Sequence, residues 1–242
     1  MTAASVPPCV LVIGAGTMGR GIAQVAAQAG DSVRLFDVDA ALAQAAVKRM
    51  AASLARRVAK GKLSEPQRAA TLARVQVVAS LRAAAAGIDL AIEAVPENMA
   101  LKVKVLSEVA AAAPPSALLA SNTSSLSITE LGQRLGFGER CIGMHFFNPP
   151  PAMPLLELVV GLHTAEATLQ RAQAFAERTG KSPIVVNDSP GFASSRLGVA
   201  LGAEAIRMLQ TGVASVQDID RAMELGYRHP MGPLKLTDLV GL

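Results

Sequence analysis

One imidazole and one carboxylate, His145 and Glu157, carry the clearest chemical potential in this 242-residue chain. His145 stands in Gly143-Met144-His145-Phe146-Phe147-Asn148-Pro149-Pro150-Pro151, next to aromatic residues and ahead of a rigid proline run. Glu157 stands in Leu155-Leu156-Glu157-Leu158-Val159-Val160, where a charge is out of place. A carboxylate among Leu and Val is poorly solvated and needs a partner. With three histidines in the chain, His145 is the obvious one. A buried Glu accepting from one ring nitrogen fixes the tautomer and raises the basicity of the ring, which leaves the other nitrogen for proton transfer.

The composition bounds what can surround such a pair. The length supports a large core and two domains. Hydrophobic residues make up 51% of the chain and aromatics 3%, with no Trp. A net charge of +4, without basic repeats or interleaved aromatics, gives no case for nucleic acid. Cys9 and Cys141 lie in apolar runs and read as buried thiols in a reducing compartment, so neither a disulfide nor a metal site is expected. No apolar run is long enough to span a membrane, and the N-terminus shows no signal-peptide pattern. The expectation is a soluble, cytoplasmic protein with no membrane partner.

The elements that must position the pair alternate. Short apolar runs at 9–13, 32–37, 75–78, 90–95, 117–120, 142–147, 155–160 and 183–186 read as strands. Helical patterns cover 17–29, 39–60, 64–74, 98–111 and 165–179. This predicts an α/β fold, a Rossmann-type mostly parallel sheet with helices on both faces. After Asp188-Ser189-Pro190-Gly191 only helical patterns remain, at 192–211, 215–225 and 233–241. The expected division is therefore 1–188 for a dinucleotide-binding domain and 189–242 for a helical one.

Gly14-Ala15-Gly16-Thr17-Met18-Gly19 fits G-x-G-x-x-G and lies between a strand and a helix. The first glycine permits the tight turn, the second lets a pyrophosphate approach the backbone, and the third lets helix pack on strand. Phosphates then meet the N–H groups of a helix N-terminus. Asp37 ends the second strand at about the expected 20-residue separation. A carboxylate there accepts from ribose hydroxyls and repels a 2′-phosphate, which favours NAD over NADP. Arg34 points the other way only weakly, since it lies inside the strand.

Between Lys48 and Arg74 there are eight basic residues and one acidic residue, Glu65. The stretch reads either as a solvated helical face or as a landing site for a polyanion such as the phosphates of coenzyme A. Lys60-Gly61-Lys62 is the anchor in the second reading, with Ser53 on a similar face. Ser121-Asn122-Thr123-Ser124-Ser125 follows a strand and suits a substrate or nicotinamide contact, or else an N-cap cluster. Glu93 and Glu97 with Lys102 read either as an exposed charge pair of no consequence or as site residues. His163 reads as surface and His229 as structural.

Taken together, these segments resemble L-3-hydroxyacyl-CoA dehydrogenases, in particular the bacterial 3-hydroxybutyryl-CoA forms. The resemblance rests on Val12 to Gly19, Glu93 to Lys102, Ser121 to Leu126, His145 to Pro149 with Glu157, Asp188 to Arg196, and Pro230 to Gly241. It implies NAD-dependent oxidation of (S)-3-hydroxyacyl-CoA to 3-oxoacyl-CoA and a homodimer formed through the helical domain. By position it makes His145 and Glu157 the catalytic pair and Ser124 a contact to substrate and cofactor. Asn148, Glu97 and Lys102 become cofactor contacts, and Ser53 and Lys60 become coenzyme A contacts. Ser195 stands where many members carry Asn, so rate or chain-length preference is expected to differ. The chain also stops at Leu242, inside a region where the family continues, and a reduced activity or altered dimer is expected from that. Two other readings share these residues: a dehydrogenase of a free sugar acid resembling gulonate, and a non-catalytic NAD-binding scaffold.

Overall fold

The structure is a computed structural model that describes residues 7–241. The N-terminal residues 1–6 read above for a signal pattern, and Leu242, lie outside them. The chain divides into two compact units, Met1–Asp188 and Ser189–Leu242.

In the first unit the elements run β1 (Cys9–Ile13), α1 (Thr17–Gln28), β2 (Ser32–Phe36), α2 (Ala40–Ala59), α3 (Glu65–Ala73) and β3 (Val75–Val78). They continue as α4 (Leu81–Ala84), β4 (Leu90–Glu93), α5 (Met99–Ala110), β5 (Leu118–Ser121) and α6 (Ile128–Leu135). The unit closes with β6 (Cys141–Phe146), β7 (Leu155–Val160), α7 (Glu166–Arg178) and β8 (Ser182–Asn187). The eight strands form one sheet in the order β3-β2-β1-β4-β5-β6-β7-β8. Every pairing is parallel except β6 with β7. β4 and β5 are buried along their whole length, and β1 is buried from Val10 on, because helices cover both faces of a parallel sheet.

The order reverses between β1 and β4, the crevice where ligands of such sheets bind, at the carboxyl ends of the strands. Two glycines make the β1–α1 turn possible. Gly14 has φ +97, and a Cβ there would sit 2.7 Å from the Ala94 carbonyl oxygen. A Cβ on Gly19 would lie 1.8 Å from the Gly14 carbonyl oxygen. Helix starts are set by side-chain caps: Asp39 for α2, Asn98 for α5 and Ser127 for α6, with a full capping box at Ser64–Gln67 for α3.

The second unit comprises α8 (Ser194–Gln210), α9 (Val216–Arg221), which widens into a π-type turn over 222–226, and α10 (Pro233–Val240). The buried Asp220 accepts from the Leu234 and Lys235 N–H groups at 2.8 and 3.3 Å, placing a carboxylate at the N-terminus of α10. Gly202 lets α8 and α10 approach, since a Cβ would come within 2.6 Å of Thr237 Oγ1.

Three expectations change in detail. The short helix α4 went unread, and α6, the helix that the 121–125 cluster was read as capping, begins only at Ile128. Cys9 is only partly buried, whereas Cys141 is buried and its thiol is pushed up to about 12 by desolvation. Among the described residues no group of three or more His, Cys, Asp and Glu could hold a metal ion, and no helix is long and apolar enough to cross a membrane.

Candidate active site

Antiparallel pairing of β6 with β7 sets His145 directly opposite Glu157 in the ladder. Directly opposed residues on one face have Cβ atoms about 5 Å apart, within reach of a side-chain bond. His145 Nδ1 lies 2.6 Å from Glu157 Oε2, with Glu157 fully buried and His145 nearly so. The Phe147 ring packs against the imidazole with centroids 4.5 Å apart. Asn122 Oδ1 accepts from the Phe146 N–H at 2.9 Å, tying the loop after β5 to the strand end that carries His145.

A second buried cluster lies beside it, where β4 and β5 end. Glu93, the last residue of β4, is fully buried, and Lys102 on α5 is 1% exposed. The ammonium donates to both Glu93 oxygens at 2.9 and 3.0 Å and meets Glu97 Oε2 at 3.1 Å. Ser121 Oγ also donates to Glu93. Glu93 and Lys102 are therefore not exposed, whereas Glu97 keeps an exposed edge. Burial pushes the Glu93 carboxyl up, although Lys102 and Ser121 oppose the shift. Glu97 goes the other way. Its partial burial raises it, but hydrogen bonds from Thr123 and Ser125 and the Lys102 ammonium outweigh that and hold its carboxyl below the usual range.

Glu97 Oε1 gathers the loop: it accepts from Thr123 Oγ1, from the Ser124 and Ser125 N–H groups at 3.1 and 3.3 Å, and from Ser125 Oγ at 3.1 Å. Ser124 is held through its backbone while its side chain stays exposed. Of the two serines placed to cap α6, Ser125 and Ser127, Ser127 does so.

Gly14, Gly16, Thr17, Met18 and Asp37 border one cavity of about 570 Å³ at the β1/β4 crevice. Its lining is mainly apolar, with Val38, Leu42, Val95, Pro96, Leu101 and Val105 among it. Asp37 Oδ2 accepts from the Ala15 N–H at 2.7 Å, which braces the turn. A Cβ built on Gly16 would meet nothing within 4 Å, so the backbone there is open to a close neighbour from the cavity. An apolar slot, an exposed turn backbone at a helix N-terminus and a carboxylate at the end of β2 fit a dinucleotide. Gly19 stands behind the turn as helix-to-turn packing. Arg34 does not face this cavity; it donates to the Ala84 and Ala86 carbonyls, each at 2.6 Å.

The remaining expected residues spread out. Ser53 borders a different cavity, Lys60 caps the end of α2 without lining any described cavity, and Asn148 is exposed just past β6. Ser195 is the second residue of α8, in the second unit. His163 is exposed, and His229 lies near Tyr227 in the second unit. Sequence reasoning missed the anchoring role of Glu93 and the Asn122 bridge. The signals were a Glu ending an apolar strand and an Asn leaving the next one.

Comparison with known proteins agrees with this geometry. Residues 9–189 match the family described as 3-hydroxyacyl-CoA dehydrogenase, NAD binding domain, and residues 191–242 match 3-hydroxyacyl-CoA dehydrogenase, C-terminal domain. The chain is 45% identical to a probable 3-hydroxybutyryl-CoA dehydrogenase of Bacillus subtilis, over 96% of this chain and 81% of that protein. It is 40% identical to a mitochondrial hydroxyacyl-coenzyme A dehydrogenase of Sus scrofa, over 96% and 76% of the two chains. Among solved structures, (S)-3-hydroxybutyryl-CoA dehydrogenase from Ralstonia eutropha superposes with a TM-score of 0.93 at 42% identity, covering 97% of this chain and 82% of that one. A dinucleotide crevice, a buried His–Glu pair on the same sheet and these relatives converge on one conclusion: the chain belongs to the NAD-dependent 3-hydroxyacyl-CoA dehydrogenase family.

Proposed function

We propose that this chain interconverts (S)-3-hydroxybutyryl-CoA and acetoacetyl-CoA with NAD, and that His145 is its proton-transfer group. The reading is carried by the 2.6 Å contact between His145 Nδ1 and Glu157 Oε2. With Glu157 ionised, Nδ1 carries the proton of that bond, so proton exchange with the substrate falls to Nε2. In oxidation the hydroxyl proton passes to Nε2 while the C3–O bond gains double-bond character. Glu157 then steadies the imidazolium, as the carboxylate of a serine-protease triad does. NAD, when bound, supplies the acceptor for the hydride that leaves C3. Gly14, Gly16, Thr17, Met18 and Asp37 would hold its adenosine and phosphates. Glu97, which Lys102 holds in place, would contact it together with Asn148. Ser124 would meet both substrate and nicotinamide, and Ser195 would meet the thioester carbonyl with a shorter reach than the Asn it replaces. Ser53 and Lys60 lie on one face of α2 suited to coenzyme A. A cytoplasmic homodimer assembled through the second unit belongs to the same reading.

The test is reduction of acetoacetyl-CoA followed through NADH absorbance, beside NADPH and a free 3-oxo acid. NADH should be consumed with the CoA ester, with NADPH disfavoured by about tenfold or more because Asp37 repels its 2′-phosphate. Turnover of the free acid alone would favour a sugar-acid dehydrogenase, and no turnover with any of them would leave a binding scaffold.

A further inference from the structure

β6 reaches further than the strand on one side of it. Its parallel pairing with β5 ends where Ser121 stands opposite Gly143, whereas its antiparallel pairing with β7 runs on to Phe146 opposite Leu156. Among the described residues, Met144, His145 and Phe146 therefore have a strand partner on one side only. Backbone N–H groups point alternately to the two edges of a strand, and a buried one left without an acceptor is costly. Phe146 is 2% exposed, and its N–H faces the side on which β5 has ended.

Asn122 fills that gap. It is the first residue past β5, and its Oδ1 accepts from the Phe146 N–H at 2.9 Å, in the role that a further strand carbonyl would play. Its own N–H donates to the Glu93 carbonyl at 2.9 Å, which fixes the residue to the end of β4. The residues on either side are tied as well: Ser121 Oγ donates to the Glu93 carboxylate, and Thr123 Oγ1 donates to Glu97. Three consecutive side chains thus grip three different groups, and the middle one grips the strand end that carries the imidazole.

We propose that Asn122 is a positioning residue for proton transfer: its carboxamide locks the end of β6 to the loop after β5 and so holds His145 at its working distance from the reacting oxygen. The inference rests on the dehydrogenase reading above. Glu157 sets the tautomer of the ring, and Asn122 sets where the ring stands relative to the Thr123–Ser125 loop. Asn122 acts through His145 and touches no reacting atom. Misplacing a reacting group by about 1 Å can cost about 10²-fold in rate, so the bond should show in turnover and not in binding.

Three variants separate positioning from bulk structure. Asn122→Leu keeps the size and the backbone bond to Glu93 but removes the acceptor, whereas Asn122→Asp keeps an acceptor. With acetoacetyl-CoA and NADH, Asn122→Leu should lower kcat by about ten- to hundredfold, with KM and the NADH dissociation constant within about twofold of wild type. Asn122→Asp should recover most of that loss. On a His145→Gln background, Asn122→Leu should change turnover by less than about twofold, because the group it acts through is already gone. A wild-type kcat in Asn122→Leu, or a loss that multiplies with that of His145→Gln, overturns the proposal. One readout needs no turnover. The Nδ1 proton that His145 shares with Glu157 should give a downfield proton resonance that His145→Gln lacks. Asn122→Leu should broaden it or speed its exchange with water, and Asn122→Asp should leave it in place. A resonance unaltered in Asn122→Leu also overturns the positioning role. If the wild type reduces no thioester, the dehydrogenase reading falls, and the resonance still decides whether Asn122 positions the ring.

Discussion

Glu93 and Glu157 are both fully buried acids on strands of the same sheet, yet their surroundings give them different work. Glu157 faces an imidazole, a ring whose two nitrogens can both give and take a proton. Glu93 faces an ammonium that can only donate, does so to both of its oxygens, and is itself 1% exposed. The first pair can take part in a reaction, whereas the second can only hold things still. What it holds is Glu97, and through Glu97 the loop at Thr123–Ser125. A buried carboxylate thus tells little by itself; the partner decides whether it belongs to chemistry or to scaffolding.

The comparison breaks most sharply at His145. His145→Gln should cut kcat by about 10²–10⁴-fold while NADH binding and thermal stability stay close to wild type. A comparable loss of stability would make this pair scaffolding too. Lys102→Met should do the reverse, costing about 3–5 kcal/mol in denaturant unfolding because two carboxylates lose their shared cation and Glu93 is left buried and unpaired. A variant as stable as wild type would remove the distinction from the other side.

A smaller effect sharpens the contrast through pH. Asp188 sits below the usual carboxylate range: its burial raises it, but hydrogen bonds from Ser127 Oγ and the Thr129 N–H outweigh that. A depressed acid stabilises above its unfolded pKa, and the benefit is lost as pH falls through the folded value. Asp188→Asn should therefore lower Tm at pH 7 by a few degrees, with the gap closing in acid once pH falls below the usual aspartate range. A gap that persists in acid would mean that shape, not charge, holds α6.

Much of this site was legible along the chain because its signals are local. The glycine turn, the strand before it and Asp37 fall within 30 residues; the strand and turn form as read, and Asp37 stands just past β2, bracing the turn. Glu157 betrayed itself by standing among Leu and Val, and the ladder register then explains why its partner is His145. The Glu93–Lys102 pair was not legible, because the two residues sit on a strand and a helix joined by a turn, and spacing says nothing about burial across such a corner.

The opposed pairing of β6 and β7 makes the proton-transfer machinery a matter of parity. Side chains alternate between the two sides of a strand, so deleting Leu155 or Leu156 with the start of the strand held in register would present Leu158 to the imidazole and send the acid to the opposite side. Such a deletion swaps one apolar strand sequence for another almost as apolar. It could leave a folded, dinucleotide-binding protein with a silent histidine, and homologous sequences with an odd shift here would be expected to have abandoned the reaction.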